Sequence, residues 1–385
     1  MSARRILFVT GEYPPMQGGV ADYTRTLALA LAELGHDVAV FTSRQALPAR
    51  EGDRIPLYTA DRGWGWRMWS GLDAVVRAWQ PDVVHIQYQT AAFGMHPAVN
   101  LWPWRPWHRP PCHTAVTFHD LLFPYLFPKA HPVRRWVTYT LARSCTLAIT
   151  TNPEDTLKLR RHRSDVVEIP IGSNIPCAPP PDFDRVAHRR RLGLPPDAAV
   201  IAYFGFLNAS KGGETLVDVL AAVRARGYDA YLLMIGGRVG ASDPTNYHYL
   251  QQVERRIDRL GLRDYVLWTG HVPADQVSAA FLCADLCLLP YRDGASYRRG
   301  SFMAALEHGM AIVTTTPRVP YPDLEDVVLA APAGEVSALT TAVVRLIQDP
   351  AIRRTMGERA RRLAAQFGWD SIARRYLAAY ADFVC

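Results

Sequence analysis

The sequence predicts an α/β protein made of two doubly wound parallel-sheet halves. Three observations carry this: short apolar runs alternate with helical patterns, the alternation breaks once near Pro176, and glycine- and charge-rich loops follow several of the apolar runs. At 385 residues the chain exceeds one small core, so two domains are expected.

In the first half, residues 5–10 (RILFVT) read as a buried strand, 22–35 as a helix capped near Ala21-Asp22 and ending at Gly35, and 37–42 as the next strand. Residues 82–89, 113–120, 146–152 and 165–172 continue the series. Strand–helix–strand units of this kind imply a Rossmann-like parallel sheet covered on both faces. From Pro176 to residue 200, proline and charge replace sustained apolar runs, which reads as a connector plus a helix. A second series then runs through 198–207, 230–237, 265–271, 285–291 and 311–316. The tail, 367–385, is an amphipathic helix with Ile372, Tyr376, Leu377 and Tyr380 on one stripe and Asp370 as its cap. The expected domains are 1–185, 186–366 and a terminal helix, 367–385, that crosses back to the first domain.

Composition narrows the function classes. A hydrophobic fraction of 49% with 21% charged residues is that of a globular protein. The net charge of +7 favours an anionic substrate or an anionic membrane surface over nucleic acid, for which no fold motif is present. Basic clusters at 160–163, 188–191, Arg353-Arg354 and 359–362 read mostly as solvated helix faces. Six cysteines are scattered or lie in apolar runs. Cys283 and Cys287 have helical i, i+4 spacing without a matching Cys or His pair, so buried thiols are expected instead of a zinc site, and no metal. A reducing, cytoplasmic setting follows, with peripheral contact at the inner membrane surface as its extension. The opening apolar run is too short for a signal peptide, and no run is long enough to span a bilayer.

The most informative tract is 289–316. A strand runs into a loop with Gly294, Arg298, Arg299 and Gly300, then a short helix over 302–308 with Ser301 as N-cap and Gly309 past its end. Unpaired N–H groups at the helix start, glycines that admit a close ligand and two forked cations make an anion site. After the strand at 198–207, Lys211-Gly212-Gly213 places a point charge at a helix entry, and Gly18-Gly19 opens the first helix. His119-Asp120 ends the strand at 113–120, where histidine could donate to a sugar hydroxyl or a carbonyl. Each loop alone also suits a plain turn or surface residue. Jointly they imply a cleft between two Rossmann-like domains that holds a nucleotide diphosphate and a second substrate.

These residues resemble the retaining glycosyltransferases of family 4, which have the two-domain GT-B fold. The matches are YPPMQGGVADYT (13–24), TFHD (117–120), YFGFLNASKGG (203–213), MIGG (234–237), TGHVP (269–273), 289–315 and FGWDSIARRY (367–376). The resemblance implies that Gly18 and Gly19 border the donor diphosphate, His119 contacts the transferred sugar, Lys211 binds the diphosphate and Glu307 bonds the nucleotide ribose. Gly205, Gly236, Asp293, Gly294, Ala295, Ser296, Gly300 and Ser301 complete the donor set it implies. Two positions depart from the family: Arg299 stands at the first glutamate of its Glu-x7-Glu motif, and Phe206 at a customary basic residue. Relocated charge is the expectation, with Arg298 and Arg299 neutralising the departing diphosphate.

The reaction so implied moves a hexose-type sugar from a nucleotide diphosphate sugar to a hydroxyl of a glycan, lipid-linked or small-molecule acceptor, with retention and without a metal. Lys211, Arg298, Arg299 and the helix start would stabilise the leaving group, and closure about 176–200 would exclude water. Acceptor-side candidates are Gln87, Tyr88 and Asp120. The tryptophan-rich stretches 62–69 and 101–111 either stack on sugars or lipid headgroups or anchor long loops to the core. An epimerase or phosphorylase of the same fold, and a non-catalytic nucleotide-sugar binding subunit, stay open as alternatives.

Overall fold

The computed structural model describes residues 3–47, 54–61, 63–105, 110–121, 123, 131–238 and 245–383. The chain divides into two compact units, Met1–Gly172 with Gly368–Cys385, and Ser173–Phe367.

The first unit runs β1 (Arg5–Thr10), α1 (Gly19–Glu33), β2 (Asp37–Ser43), β3 (Leu57–Ala60), α2 (Met68–Trp79), β4 (Val83–Tyr88), α3 (Ala98–Leu101), β5 (His113–Phe118), α4 (His131–Ser144), β6 (Leu147–Thr150), α5 (Pro153–Arg160) and β7 (Val167–Glu168). The strands form one parallel sheet in the order β3-β2-β1-β4-β5-β6-β7. The second unit runs α6 (Arg185–Arg191), β8 (Ala199–Phe204), α7 (Gly213–Ala225), β9 (Ala230–Ile235), α8 (Thr245–Arg259), β10 (Val266–Gly270), α9 (Ala274–Cys283), β11 (Leu286–Leu289), α10 (Gly300–Glu307), β12 (Ile312–Thr315), β13 (Val328–Ala331), α11 (Val336–Gln348) and α12 (Pro350–Ala364). Its parallel sheet has the order β10-β9-β8-β11-β12-β13. The last helix, α13 (Trp369–Ala381), belongs to the first unit.

The central strands are buried on both faces, as continuous runs such as Ile6–Val9 and Leu286–Leu289 require. In each sheet the order reverses once, between β1 and β4 and between β8 and β11. Chains leaving the carboxyl ends of strands at such a reversal diverge to opposite faces and leave a crevice for a ligand. The loops after β1, β4, β8 and β11 border these crevices.

Several local expectations change. α1 begins at Gly19, not at residue 22, and its N-cap is Gly18. α10 begins at Gly300 with Arg299 as N-cap, while Ser301 lies inside the helix and bonds Tyr291 through its hydroxyl at 2.7 Å. α13 is capped by Gly368, and Asp370 instead pairs with Arg374 one turn on, at 2.9 Å. Cys283 closes α9 whereas Cys287 lies in β11, so their spacing is not a helical one; both are buried. Arg189 is not a solvated helix residue: it is 5% exposed, donating to the Cys283, Pro196 and Ala198 carbonyls and to Asp285. β3 and β13 escape the sequence pattern because they are sheet-edge strands, each partly exposed, and so lack a sustained apolar run.

The tryptophan-rich stretches anchor their loops in part and leave other rings exposed. Trp102 is fully buried and donates to Asp73 at 2.9 Å, Arg105 forks onto the same carboxylate, and Trp69 donates to the Ala98 carbonyl. Trp66 and Trp104 stay 50% and 45% exposed. Residues 106–109 and Cys385 lie outside the described residues.

Candidate active site

In the second unit the loops after β8 and β11 pack directly on each other. A Cβ on Gly212, whose φ is +70°, would lie 2.0 Å from the Pro290 carbonyl oxygen, so only glycine lets the two loops meet. The Arg292 amide donates to the Ser210 carbonyl at 2.9 Å, and Arg299 Nη1 to Ser210 Oγ at 3.1 Å. Asn208 closes the turn by accepting from the Lys211 amide. Gly205, with φ +108°, leaves room for the Lys211 ammonium: a Cβ there would sit 2.7 Å from Nζ.

Asp293 organises the cations. Arg298 Nη2 donates to its Oδ2 at 2.7 Å, and Arg299 Nη2 binds its Oδ1. The Arg299 guanidinium also lies over the Tyr291 ring, and its Nε is buried with no hydrogen bond among the described residues. Burial, then the neighbouring Arg299 charge, pushes the Lys211 amine down to about 7. Two arginines thus share one carboxylate where the strand order reverses, with the Lys211 amine beside Arg299.

Other expected donor residues shape this loop. Gly294, φ +85°, sits where a Cβ would be 2.5 Å from the Thr316 carbonyl oxygen. The Ala295 amide bonds the Thr315 carbonyl at 3.0 Å, and Ser296 Oγ bonds the Tyr321 hydroxyl at 3.1 Å. The Gly236 amide is taken by Thr269 Oγ1 at 2.9 Å. Phe206 lays its ring against Gly237, where a Cβ would be 2.8 Å away. Glu307 is not brought together with Lys211 and Arg299. It closes α10, about 10 Å of helix from the N-terminus, on the side where it and Arg361 act on the Cys177 thiol.

In the first unit the loop after β1 holds a residue that sequence reasoning missed. Glu12 Oε1 accepts from the Val20 and Ala21 amides at 3.2 and 3.3 Å, so a carboxylate of the chain itself fills the α1 N-terminus that Gly18-Gly19 suggested for the donor. Gly18 is needed because a Cβ would lie 2.0 Å from that oxygen. The signal was an acidic residue between a strand end and a glycine pair.

His119, just past β5, turns Nε2 to Gln87 Oε1 at 2.8 Å and packs edge-on against Tyr23, with ring centroids 4.7 Å apart. Burial pushes its pKa down to about 3, so the imidazole is neutral. Gln87 is fully buried beneath it. Tyr88 is fully buried between Phe93 and Phe118 with its hydroxyl on Thr90, which makes it a core residue without access to an acceptor. Asp120 is half-buried beside His119.

α13 buttresses this end of the sheet. The Tyr376 hydroxyl bonds Tyr23 and Thr117, both at 2.8 Å; Thr117 bonds His85 Nε2, and the Tyr380 hydroxyl bonds His85 Nδ1. Burial, with a smaller contribution from His119, lowers the His85 pKa to about 3.

Known proteins share the family and the fold of this chain. A glycosyl transferase 4-like domain model matches residues 18–172, and a glycosyl transferases group 1 model matches residues 198–349. The D-inositol 3-phosphate glycosyltransferase of Corynebacterium diphtheriae is 25% identical over 99% of this chain and 95% of its own length. That of Stackebrandtia nassauensis is 26% identical over 99% and 92%. Among solved structures, HepE of Anabaena in complex with UDP and glucose superposes with a TM-score of 0.77 at 18% identity, covering 99% of this chain and 100% of that one. Sucrose-phosphate synthase from Thermosynechococcus elongatus gives 0.72 at 22%, covering 98% of each.

Proposed function

Since the chain belongs to the family 4 glycosyltransferases and has the two Rossmann-like domains of the GT-B fold, we propose that it moves a hexose-type sugar from a nucleotide diphosphate donor to an acceptor hydroxyl with retention at the anomeric carbon. The observation that carries this reading is the cluster of Arg298 and Arg299 on Asp293 with the Lys211 amine beside Arg299, the Arg299 Nε being buried and unbonded among the described residues. As the sugar–phosphate bond breaks, negative charge grows on the diphosphate, and preorganised cations lower the energy of that state more than that of the intact donor. Arg299 reaches the loop from the start of α10, which supports relocated charge where Phe206 offers none. The acceptor hydroxyl attacks from the face the diphosphate leaves, and the acceptor is a glycan, a lipid-linked glycan or a small polyol.

Nucleoside diphosphate release from UDP-, GDP- and ADP-sugars, with and without D-inositol 3-phosphate and lipid-linked glycans, tests the reaction. Release that requires an acceptor, with an axial donor bond giving an axial product bond, is the expected result. Acceptor-independent turnover or an inverted product would reject it.

A peripheral contact with an anionic membrane surface extends the reading. On α4, Val133 and Trp136 are 50% and 44% exposed one turn apart, Trp136 packs edge-on with the exposed Trp104, and Arg135 lies beside them. Co-flotation with phosphatidylglycerol vesicles that Trp136→Ser fails to weaken would remove it.

A further inference from the structure

We propose that Gln87 is a positioning residue that fixes His119 as its Nε2–H tautomer, so that Nδ1 is presented as a hydrogen-bond acceptor to a hydroxyl of the transferred sugar. This rests on the reading that His119 contacts that sugar, and it reverses the donor role expected of the histidine from sequence.

Gln87 and Thr117 are register partners on adjacent parallel strands, so the Gln87 side chain lies under the residue that follows β5. Its Oε1 is 2.8 Å from His119 Nε2. An amide oxygen only accepts, so Nε2 carries the proton, and a neutral imidazole has a single one. Nδ1 is then left with its lone pair, and it makes no hydrogen bond among the described residues. The ring is held on its other sides. The His119 amide donates to the Tyr88 carbonyl at 3.0 Å, and the Tyr23 ring meets the imidazole edge-on. Tyr23 is itself pinned through its hydroxyl by Tyr376. Gln87 is 0% exposed, so water does not compete for the bond. The imidazole stays neutral for want of solvation, so the acceptor lone pair persists across the neutral range. The opposite amide orientation would set an NH2 against Nε2 and make Nδ1 the donor; that is the competing arrangement the experiment separates.

Long-range 1H–15N correlation on the full chain with labelled imidazoles reads the tautomer. The expected His119 spectrum has a pyrrole-type Nε2 and a pyridine-type Nδ1 that does not titrate near neutrality. Gln87→Glu retains an acceptor and therefore the tautomer, but its carboxylate favours the imidazolium, so His119 titrates at higher pH and kcat/KM gains an acid limb. Gln87→Leu mixes the tautomers and lowers kcat by roughly tenfold, the worth of one oriented hydrogen bond. The kinetic arm follows nucleoside diphosphate release from UDP-, GDP- and ADP-glucose in parallel. A pyrrole-type Nδ1 in the unaltered enzyme, or an unchanged tautomer and rate in Gln87→Leu, overturns the role of Gln87. Full turnover in His119→Ala overturns the reading beneath it, that His119 touches the sugar.

Discussion

Arg298 donates to Asp293 Oδ2 across 2.7 Å, while the adjacent Arg299 binds the other oxygen of the same carboxylate. Burial works against ionisation of Asp293, but Arg299 and then Arg298 hold its pKa below the ordinary carboxylate value. Asp293→Asn leaves two guanidiniums, 22% and 14% exposed, facing a neutral amide. The expected loss is roughly 2 kcal/mol in urea unfolding, below that of a fully buried pair because some solvent reaches the group. Adding Arg298→Gln recovers part of it, and an unchanged single variant would show that the carboxylate does not hold the loop.

If Lys211 binds the donor diphosphate as proposed, its lowered pKa links donor binding to pH. Its folded pKa of about 7 lies below the ordinary 10.5, so the unfolded chain binds more protons between those values and stability rises with pH across that window. Below the lower value the cost of the buried charge is present in full, and Lys211→Met therefore stabilises the fold most in mildly acidic buffer. A bound diphosphate restores the charge. Calorimetry of UDP, GDP and ADP at mildly alkaline pH, in buffers of different ionisation enthalpy, should show proton uptake by the nucleotide that binds, and Lys211→Met should abolish it. Binding without uptake would place the amine away from the phosphates.

Glu12 separates charge from hydrogen bonding. Burial raises its pKa above 4.5, outweighing the Ala21 and Val20 amides that lower it. A carboxyl with a raised folded pKa contributes stability that is complete below its unfolded pKa and lost as pH rises through the folded one. Glu12→Gln keeps the acceptor for α1 without the charge, so its Tm exceeds that of the unaltered chain at neutral pH and the difference closes in acid. Glu12→Ala removes the cap and costs about 1 kcal/mol. Equal Tm values for Gln and Ala variants at neutral pH would contradict this account.

Tyr376→Phe removes one hydroxyl and leaves the Tyr23 hydroxyl with one buried partner fewer. Chemical unfolding should register a loss of about 1–3 kcal/mol, the cost of buried polar groups left unmatched. A neutral substitution would mean that α13 is held by apolar packing alone.

Most of the architecture was legible because long apolar runs such as Ile6–Val9 and the stripe Ile372, Tyr376, Leu377 and Tyr380 have clear periods. β3 and β13 were not, being partly exposed strands at the sheet edges. The loops that carry charge were also visible, since Lys211, Arg298 and Arg299 stand beside glycines after strands. Their pairing was not: that Asp293 binds both arginines, that Glu12 fills the α1 terminus and that Ser301 turns to Tyr291 are contacts between side chains set by tertiary packing. Glu307, expected at the nucleotide ribose, closes α10 one helix length from the cationic loop.

The central claim is that the loops after β8 and β11 bind a nucleoside diphosphate through Lys211 and Arg299. A thermal-shift titration of the full chain with UDP, GDP and ADP tests it most directly, because a ligand bound only by the folded state raises Tm by mass action. The account predicts a saturable rise with at least one of the three that disappears in the Lys211→Met, Arg299→Gln variant. No rise with any of them, or an equal rise in the double variant, would contradict it.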